Sequence, residues 1–105
     1  MNSIIIVAGG KGLRMGSDIP KQFLMLKSRP VIMHTIRAFY DWDNNCEFIV
    51  VLPSGQQSYW QLLVSQYEFD IPVKITTGGN TRFESVKNGL QKSSGNIIGI
   101  HDGVR

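Results

Sequence analysis

The chain has a single cysteine, Cys46, and so it cannot form an internal disulfide. Disulfides are mainly found in oxidising compartments, and their absence here predicts a reducing, cytoplasmic setting. Free cysteines are usually buried, which favours a small core residue beside the strand that begins near Glu47. A nucleophilic role for Cys46 is the alternative.

Long apolar runs are also absent. No stretch approaches the roughly 20 apolar residues that a membrane-spanning helix needs. The N-terminal MNSIIIVAGG has no basic segment and only a short apolar run, so we expect no signal peptide. The 105 residues are 42% hydrophobic and 18% charged, which is typical of one small globular domain.

Charge of either sign is sparse, and the net charge is only +3. The basic residues concentrate in the glycine-rich loop near the start of the chain, in residues 82–92 and at Arg105. A duplex-DNA site needs basic residues along a whole face, so we expect no nucleic-acid partner. The distribution favours a small polyanion such as a nucleotide or a sugar phosphate.

Strand and helix patterns alternate along the chain, without internal repeats or low-complexity tracts. This order predicts an α/β fold with a mostly parallel sheet and right-handed crossovers. The predicted strands are residues 3–8, 47–53, 73–76 and 96–102, and the predicted helices are residues 31–40, 55–67 and 81–92.

Helical spacing identifies the side chains that we expect to face the core. Thr81, with Glu84 three residues later, is predicted to cap the third helix. The apolar stripes are predicted at Val31, Ile32, Thr35, Ile36 and Phe39 in the first helix, and at Tyr59, Leu62, Leu63 and Gln66 in the second.

Three polar segments follow predicted strands: AGGKG (8–12), TTGGN (76–80) and HDGVR (101–105). In open parallel sheets, ligands bind beyond the carboxyl ends of the strands. We therefore expect these three segments to line one site. The chain stops three residues after the fourth strand with no helix to cover it, which predicts that residues 1–105 are the N-terminal nucleotide-binding part of a single, longer domain.

The loop after the first strand does not fit two common phosphate-binding motifs. Lys11 is followed by Gly12 instead of Ser or Thr, so it is not a P-loop, and Met15 stands where a dinucleotide fingerprint has its third glycine. Pro20 discourages a continuous helix. What remains is a long loop in which glycine amides can approach phosphate oxygens, with a solvated surface turn as the alternative. Its glycines are Gly9, Gly10 and Gly12, and its cations are Lys11, Arg14 and Lys21.

The segment TTGGNTRFES (76–85) is predicted to be a turn into the third helix. Gly78 and Gly79 permit a positive φ. Asn80 offers a donor and an acceptor for a base edge, and Ser85 offers a hydroxyl in the first turns of the helix. The alternative is an ordinary strand-to-helix turn.

His101 and Asp102 end the fourth predicted strand. A carboxylate at this position suits Mg²⁺ beside a triphosphate, and Arg105 could bind a second phosphate. We expect His101 and His34 to have structural roles.

Four segments in order resemble the 2-C-methyl-D-erythritol 4-phosphate cytidylyltransferase family: AGGKGLRMG (8–16), PKQF (20–23), GGNTRFESV (78–86) and HDGVR (101–105). The resemblance spans the whole chain. It implies a Rossmann-like nucleotidyltransferase fold and a Mg²⁺-dependent, cytoplasmic, homodimeric enzyme of the non-mevalonate isoprenoid pathway. Such an enzyme transfers CMP from CTP to 2-C-methyl-D-erythritol 4-phosphate and releases pyrophosphate.

The resemblance also implies roles for particular residues. Arg14 and Lys21 would stabilise charge on the α-phosphate, Asp102 would bind Mg²⁺, and Arg105 would lie near the methylerythritol phosphate. The triphosphate would contact Ala8, Gly9, Gly10, Lys11 and Gly12, and the cytidine would contact Gly79, Asn80 and Ser85.

The chain departs from the family pattern in two places. Asn80 stands where family members often have Asp, which bears on base selectivity. The β-arm through which family members dimerise lies beyond the region compared, so we expect residues 1–105 alone to have little or no activity. Two alternatives remain open: a cytidylyltransferase for another polyol phosphate such as ribitol 5-phosphate, and a non-catalytic nucleotide-binding module.

Overall fold

The computed structural model describes residues 1–8, 25–26 and 29–102. The helices are α1 (Val31–Trp42), α2 (Gln57–Gln66), which follows a 3₁₀ turn at Ser54–Gln56, and α3 (Arg82–Lys92). The strands are β1 (Asn2–Val7), β2 (Met25–Leu26), β3 (Arg29–Pro30), β4 (Cys46–Leu52), β5 (Val73–Thr77) and β6 (Asn96–Asp102).

Four of these strands form a parallel sheet in the order β5-β4-β1-β6. The predicted α/β class and the parallel sheet are confirmed, and each of the four predicted strands is present within one residue of its expected bounds. The antiparallel pair β2 and β3 was not predicted, because strands of two residues are too short to show periodicity.

The two faces of the sheet bury alternate residues of the same strands, as the period of two requires. Ile4 and Ile6 of β1 belong to the larger core, which α1 and α2 cover. Ile5 belongs to a smaller cluster with Ile49 and Val51, and α3 covers it through Gly89. Helices on both faces explain why β1 and β4 are continuous apolar runs.

Helix α1 begins at Val31 as predicted, with Ile32 and Ile36 buried. Its third buried residue is Met33, which lay outside the predicted stripe. The stripe predicted for α2 is confirmed at Leu63, which is buried, and at Tyr59, which is half-buried against the larger core, but it is wrong at Leu62 and Gln66. Trp60 and Leu63 are the buried residues of α2, whereas Leu62 is 60% exposed and Gln66 is exposed.

The packing of Trp60 explains why Trp60, and not Leu62, faces the core. Its indole packs edge-on against Phe69, with the ring centroids 6.0 Å apart. Burying the largest side chain of the helix removes more apolar surface from water than burying Leu62 would. Tertiary packing therefore decides which residues of α2 are buried, and helical spacing in the sequence did not identify Trp60 as one of them.

Glu47 joins the amino ends of the strands. Lys74 of β5 lies 2.6 Å from Glu47 Oε2, and the Ser3 hydroxyl donates to Oε1 at 2.7 Å. Ser94, just before β6, donates to the same carboxylate from its backbone N–H and its hydroxyl. Burial alone would raise the pKa of Glu47, but these hydrogen bonds hold its pKa far below the usual value. The network fixes β1, β4, β5 and β6 at the edge opposite the expected ligand site.

Cys46 is half-buried in β4 and packs against the larger core, as predicted. Burial, with a smaller effect from Asp43, raises the pKa of its thiol. A raised pKa lowers the thiolate fraction, which argues against the nucleophilic alternative. Across the described ranges, no helix combines the length and apolarity required to cross a bilayer.

Candidate nucleotide site

The carboxyl ends of the four parallel strands meet at one edge of the sheet. Val7, the last residue of β1, is paired with Val51 of β4 and with Asp102 of β6. Leu52 of β4 is paired with Thr77, the last residue of β5. The segments that follow β1 and β5 therefore start at the edge where β6 ends, as the sequence predicted.

Strands that follow β1 in the sequence lie on both sides of it in the sheet. The chain passes from β1 to β4 and β5 on one side, and then returns to place β6 on the other. The crevice between β1 and β6 is the topological switch point, where open α/β sheets bind their ligands. Val7 and Asp102, the last residues of β1 and β6, are paired at this point of the sheet.

Ala8 is the only residue of the predicted phosphate loop within the described part of the chain. It is buried, and its backbone N–H donates to Val51 O at 2.9 Å, so the strand pairing continues one residue beyond β1. The other residues predicted to bind phosphates or the acceptor lie outside the described residues: Gly9, Gly10, Lys11, Gly12, Arg14, Lys21 and Arg105.

The turn between β5 and α3 is held by two hydrogen bonds that backbone amides donate, one to a backbone carbonyl and one to a side-chain hydroxyl. Gly78 N–H donates to Leu52 O at 2.8 Å, and Gly79 N–H donates to Ser85 Oγ at 3.1 Å. A Cβ on Gly79 would lie 2.3 Å from Glu84 Cβ, so a side chain cannot fit there without a shift. Gly79 does not use the positive φ that a glycine permits. Close packing against α3 is the reason for glycine at this position.

Thr81 caps α3 as predicted. Glu84 N–H donates to Thr81 Oγ1 at 3.1 Å, and the Thr81 hydroxyl in turn lies 3.4 Å from Glu84 Oε1. The positive end of the α3 dipole and its first amides therefore lie at the carboxyl edge of the sheet. Asn80, immediately before this cap, is exposed, whereas Ser85 in the first turns is buried.

Two polar side chains that support this edge were missed in the sequence. Asn88 Nδ2 donates to Thr77 O at 2.8 Å, and Gln57 Nε2 donates to Thr77 Oγ1 at 3.0 Å. They tie α3 and α2 to the last residue of β5. No sequence signal identified them, because both are polar helix residues whose partners lie far along the chain.

His101 packs on the α1 side of β6. Its ring meets Phe39 edge-on, with the centroids 5.5 Å apart. Its Nδ1 is buried and has no hydrogen-bond partner among the described residues. The expected packing role of His101 is confirmed by this contact, and His34 lies half-buried within α1.

The sequence of the whole chain is similar to that of a known family of enzymes. The IspD family model, described as 2-C-methyl-D-erythritol 4-phosphate cytidylyltransferase, matches residues 2–105. The chain belongs to the 2-C-methyl-D-erythritol 4-phosphate cytidylyltransferase family. The family resemblance stated from the sequence motifs is thereby confirmed.

Curated members of the 2-C-methyl-D-erythritol 4-phosphate cytidylyltransferase family are similar over nearly the whole chain. The Phocaeicola vulgatus enzyme is 56% identical over 103 residues, which are 97% of this chain and 47% of the relative. The Clostridioides difficile enzyme is 41% identical over 108 residues, covering 100% of this chain and 45% of the relative. The chain thus spans about half the length of the curated relatives that it matches.

A solved structure supports the Rossmann-like nucleotidyltransferase fold. The crystal structure of 4-diphosphocytidyl-2C-methyl-D-erythritol synthase from Anaerococcus prevotii has a TM-score of 0.75 and 26% sequence identity to this chain. The match covers 99% of this chain and 43% of that chain. The fold of the described residues is therefore that of a part of the synthase.

Proposed function

We propose that the full-length gene product transfers CMP from CTP to 2-C-methyl-D-erythritol 4-phosphate and releases pyrophosphate. Membership of the family supports the reaction. The observation that carries the proposal is the pairing of Val7 with Asp102, because it brings the start of the phosphate loop and the acidic end of β6 to the same crevice.

In the proposed reaction, a phosphate oxygen of the acceptor attacks the α-phosphorus of CTP. The bond between the α-phosphorus and the bridging oxygen breaks, and pyrophosphate leaves with that oxygen. Such a transfer needs in-line positioning and stabilisation of charge rather than a nucleophilic side chain. We assign the charge stabilisation to Arg14 and Lys21.

The triphosphate would lie along the segment from Ala8 to Gly12. The Ala8 N–H already donates to Val51 O, so we assign the contacts with phosphate oxygens to the amides of Gly9, Gly10, Lys11 and Gly12. Glycines permit this close approach of the backbone, and Lys11 adds a compensating charge.

The cytidine would bind at the turn before α3. From β5 to β6 the edge spans three strand spacings, about 14 Å, which suits a nucleotide that extends from base to phosphates. Asn80 is exposed there and can read a base edge with its amide. Gly79 and Ser85, which bond to each other, would shape the floor beneath the base.

We assign Mg²⁺ to Asp102 and the phosphate of the acceptor to Arg105. Mg²⁺ is commonly bound through one or two carboxylates together with substrate phosphates, so the carboxylate chemistry of Asp102 fits this ion. When bound, Mg²⁺ would neutralise part of the triphosphate charge. A homodimer in the cytoplasm, which the family resemblance implies, is also part of the proposal.

The test is a pyrophosphate-release assay on the full-length gene product. CTP, UTP, ATP and GTP are each combined with 2-C-methyl-D-erythritol 4-phosphate and with ribitol 5-phosphate, with Mg²⁺ present or chelated. We expect release only with CTP, methylerythritol phosphate and Mg²⁺. Preferred turnover of ribitol 5-phosphate would instead assign another polyol phosphate, and CTP binding without turnover would leave a nucleotide-binding module.

A further inference from the structure

The carbonyl group that ends β5 is bound by a side chain of α3. Among the described strands, β5 lies at one edge of the parallel sheet and is paired with β4 alone. Edge strands have backbone N–H and C=O groups that face no neighbouring strand. Asn88 of α3 donates from its Nδ2 to Thr77 O at 2.8 Å, so it supplies at this point the hydrogen bond that a further strand would make.

The peptide group between Thr77 and Gly78 is held at both of its ends. Its carbonyl accepts from Asn88 at 2.8 Å, and its N–H donates to Leu52 O of β4 at 2.8 Å. The C=O and N–H of a planar trans peptide point in opposite directions, so a bond at each end fixes the orientation of the peptide plane. That plane sets the direction in which the chain leaves β5 toward Asn80.

The close packing of α3 on the sheet allows Asn88 to reach this carbonyl. A Cβ on Gly89, the next residue of α3, would lie 2.7 Å from Ile5 Cγ2 of β1. Glycine at this position therefore lets the backbone of the helix approach the sheet. From a helix that lies this close, the short side chain of Asn88 spans the gap to Thr77.

Asn88 and Ser85 hold the same turn from one face of α3. The two residues are three positions apart, so their side chains are neighbours on the helix surface. Ser85 Oγ accepts from Gly79 N–H at 3.1 Å, and Asn88 binds the carbonyl of Thr77, two residues before Gly79. Helix α3 thus fixes the backbone at two points immediately before the exposed Asn80.

We propose that Asn88 is a positioning residue for recognition of the nucleotide base. The inference rests on the proposed function, in which Asn80 reads the base edge. Hydrogen bonds weaken steeply when donor and acceptor are misaligned, so a turn that can rotate about the Thr77–Gly78 peptide would bind the base less tightly. Asn88 acts at the base end of the carboxyl edge, so it affects nucleotide binding and not the chemical step at the α-phosphate.

The test compares Asn88→Ala with Gln91→Ala in the full-length gene product. Gln91 is the matched control, because it carries an amide at an exposed position one turn further along α3. Calorimetric titration with CTP gives the Kd, and pyrophosphate release gives KM and kcat. For Asn88→Ala we expect the Kd and KM for CTP to rise about tenfold, with kcat changed by less than about threefold. We expect Gln91→Ala to leave all three unchanged.

Asn88→Asp keeps the test valid even if Asn88→Ala does not fold. It preserves the shape of the side chain and replaces the Nδ2 donor with an oxygen, so we expect it to weaken CTP binding at least as much. Wild-type Kd values in the Asn88 variants would overturn the inference, as would a fall in kcat at unchanged KM.

The wild-type protein separates this inference from the proposed function. If it does not bind CTP, both are wrong. If it binds and turns over CTP while the Asn88 variants bind CTP as tightly as it does, only the positioning role of Asn88 is wrong.

Discussion

The backbone amide of Gly79 donates a hydrogen bond to the hydroxyl oxygen of Ser85, six residues later, at 3.1 Å. Ser85 is only 3% exposed, so this bond fixes the turn from inside the protein. It holds the exposed Asn80 between the end of β5 and the start of α3. The orientation of the proposed base-reading residue therefore depends on a contact that is itself buried.

Replacing Ser85 with alanine removes the acceptor of the Gly79 amide. A buried donor without a partner costs about 1–3 kcal/mol, so we expect the free energy of unfolding to fall by that amount. We also expect the KM for CTP to rise more than kcat falls, because the turn positions the base and not the reacting phosphate. Denaturant unfolding and steady-state kinetics of the full-length protein measure both effects. Ser65→Ala, at an exposed position on α2, should change neither quantity.

A methyl group at Gly79 is expected to disturb the same turn by crowding. Its Cβ would lie 2.3 Å from Glu84 Cβ, so α3 or the turn must shift. Gly55→Ala is the matched control, because a Cβ on Gly55 has no atom within 4 Å among the described residues. We expect Gly79→Ala to weaken CTP binding by about tenfold or more in calorimetric titrations, which corresponds to 1.4 kcal/mol. Equal affinities for the two variants would show that the turn does not hold the nucleotide.

Glu47 is expected to make stability depend on pH in the acidic range. Its folded-state pKa lies far below the usual value of 4.5, because Lys74, Ser94 and Ser3 donate to its carboxylate. A lowered folded-state pKa contributes stability that is complete above the unfolded-state pKa and is lost as the pH falls toward the folded-state value. We therefore expect the free energy of unfolding to decrease progressively as the pH falls below about 5.

The Glu47→Gln variant tests this dependence. It removes the carboxylate and leaves the Lys74 ammonium without its partner, so we expect a loss of about 2–3 kcal/mol at pH 7. The difference from the wild type should shrink as the pH is lowered to 3 in denaturant-unfolding experiments. A difference that stays constant with pH would contradict the prediction. Glu68→Gln, at an exposed turn position, is the control.

Arg14 and Lys21 carry the proposed charge stabilisation. Removing one preorganised transition-state contact typically lowers the rate by about 10²–10³-fold, so we expect Arg14→Ala and Lys21→Ala each to lower kcat by that factor. Lys87→Ala removes an exposed cation on α3 and should leave kcat unchanged. Pyrophosphate release by the full-length protein measures all three. Near-normal kcat in either site variant would remove that residue from the mechanism.

Local sequence signals predicted the helices and strands better than they predicted which residues contact one another in the folded chain. Buried strands such as β1 are continuous runs of β-branched residues, so they could be predicted from the sequence. The Thr81 cap could also be predicted, because it depends only on Glu84, three positions away. The burial of Trp60 in α2 could not be predicted in this way, because it depends on packing against Phe69, which lies outside the helix. The sequence showed that Gly78 and Gly79 permit a positive φ, but the structure shows that Gly79 is needed because a side chain there would collide with Glu84.

Local sequence features were sufficient to predict the four strands of the parallel sheet, the three helices, the polar segments that follow the strands, and the family. These features depend on apolar periodicity, turn residues and short motifs, which are local along the chain. Three sets of contacts could be established only from the three-dimensional structure: Val7 is paired with Asp102, Ser85 accepts a hydrogen bond from Gly79, and Ser3, Lys74 and Ser94 all contact the carboxylate of Glu47. These contacts depend on strand order and register, which place residues side by side regardless of their separation in the chain.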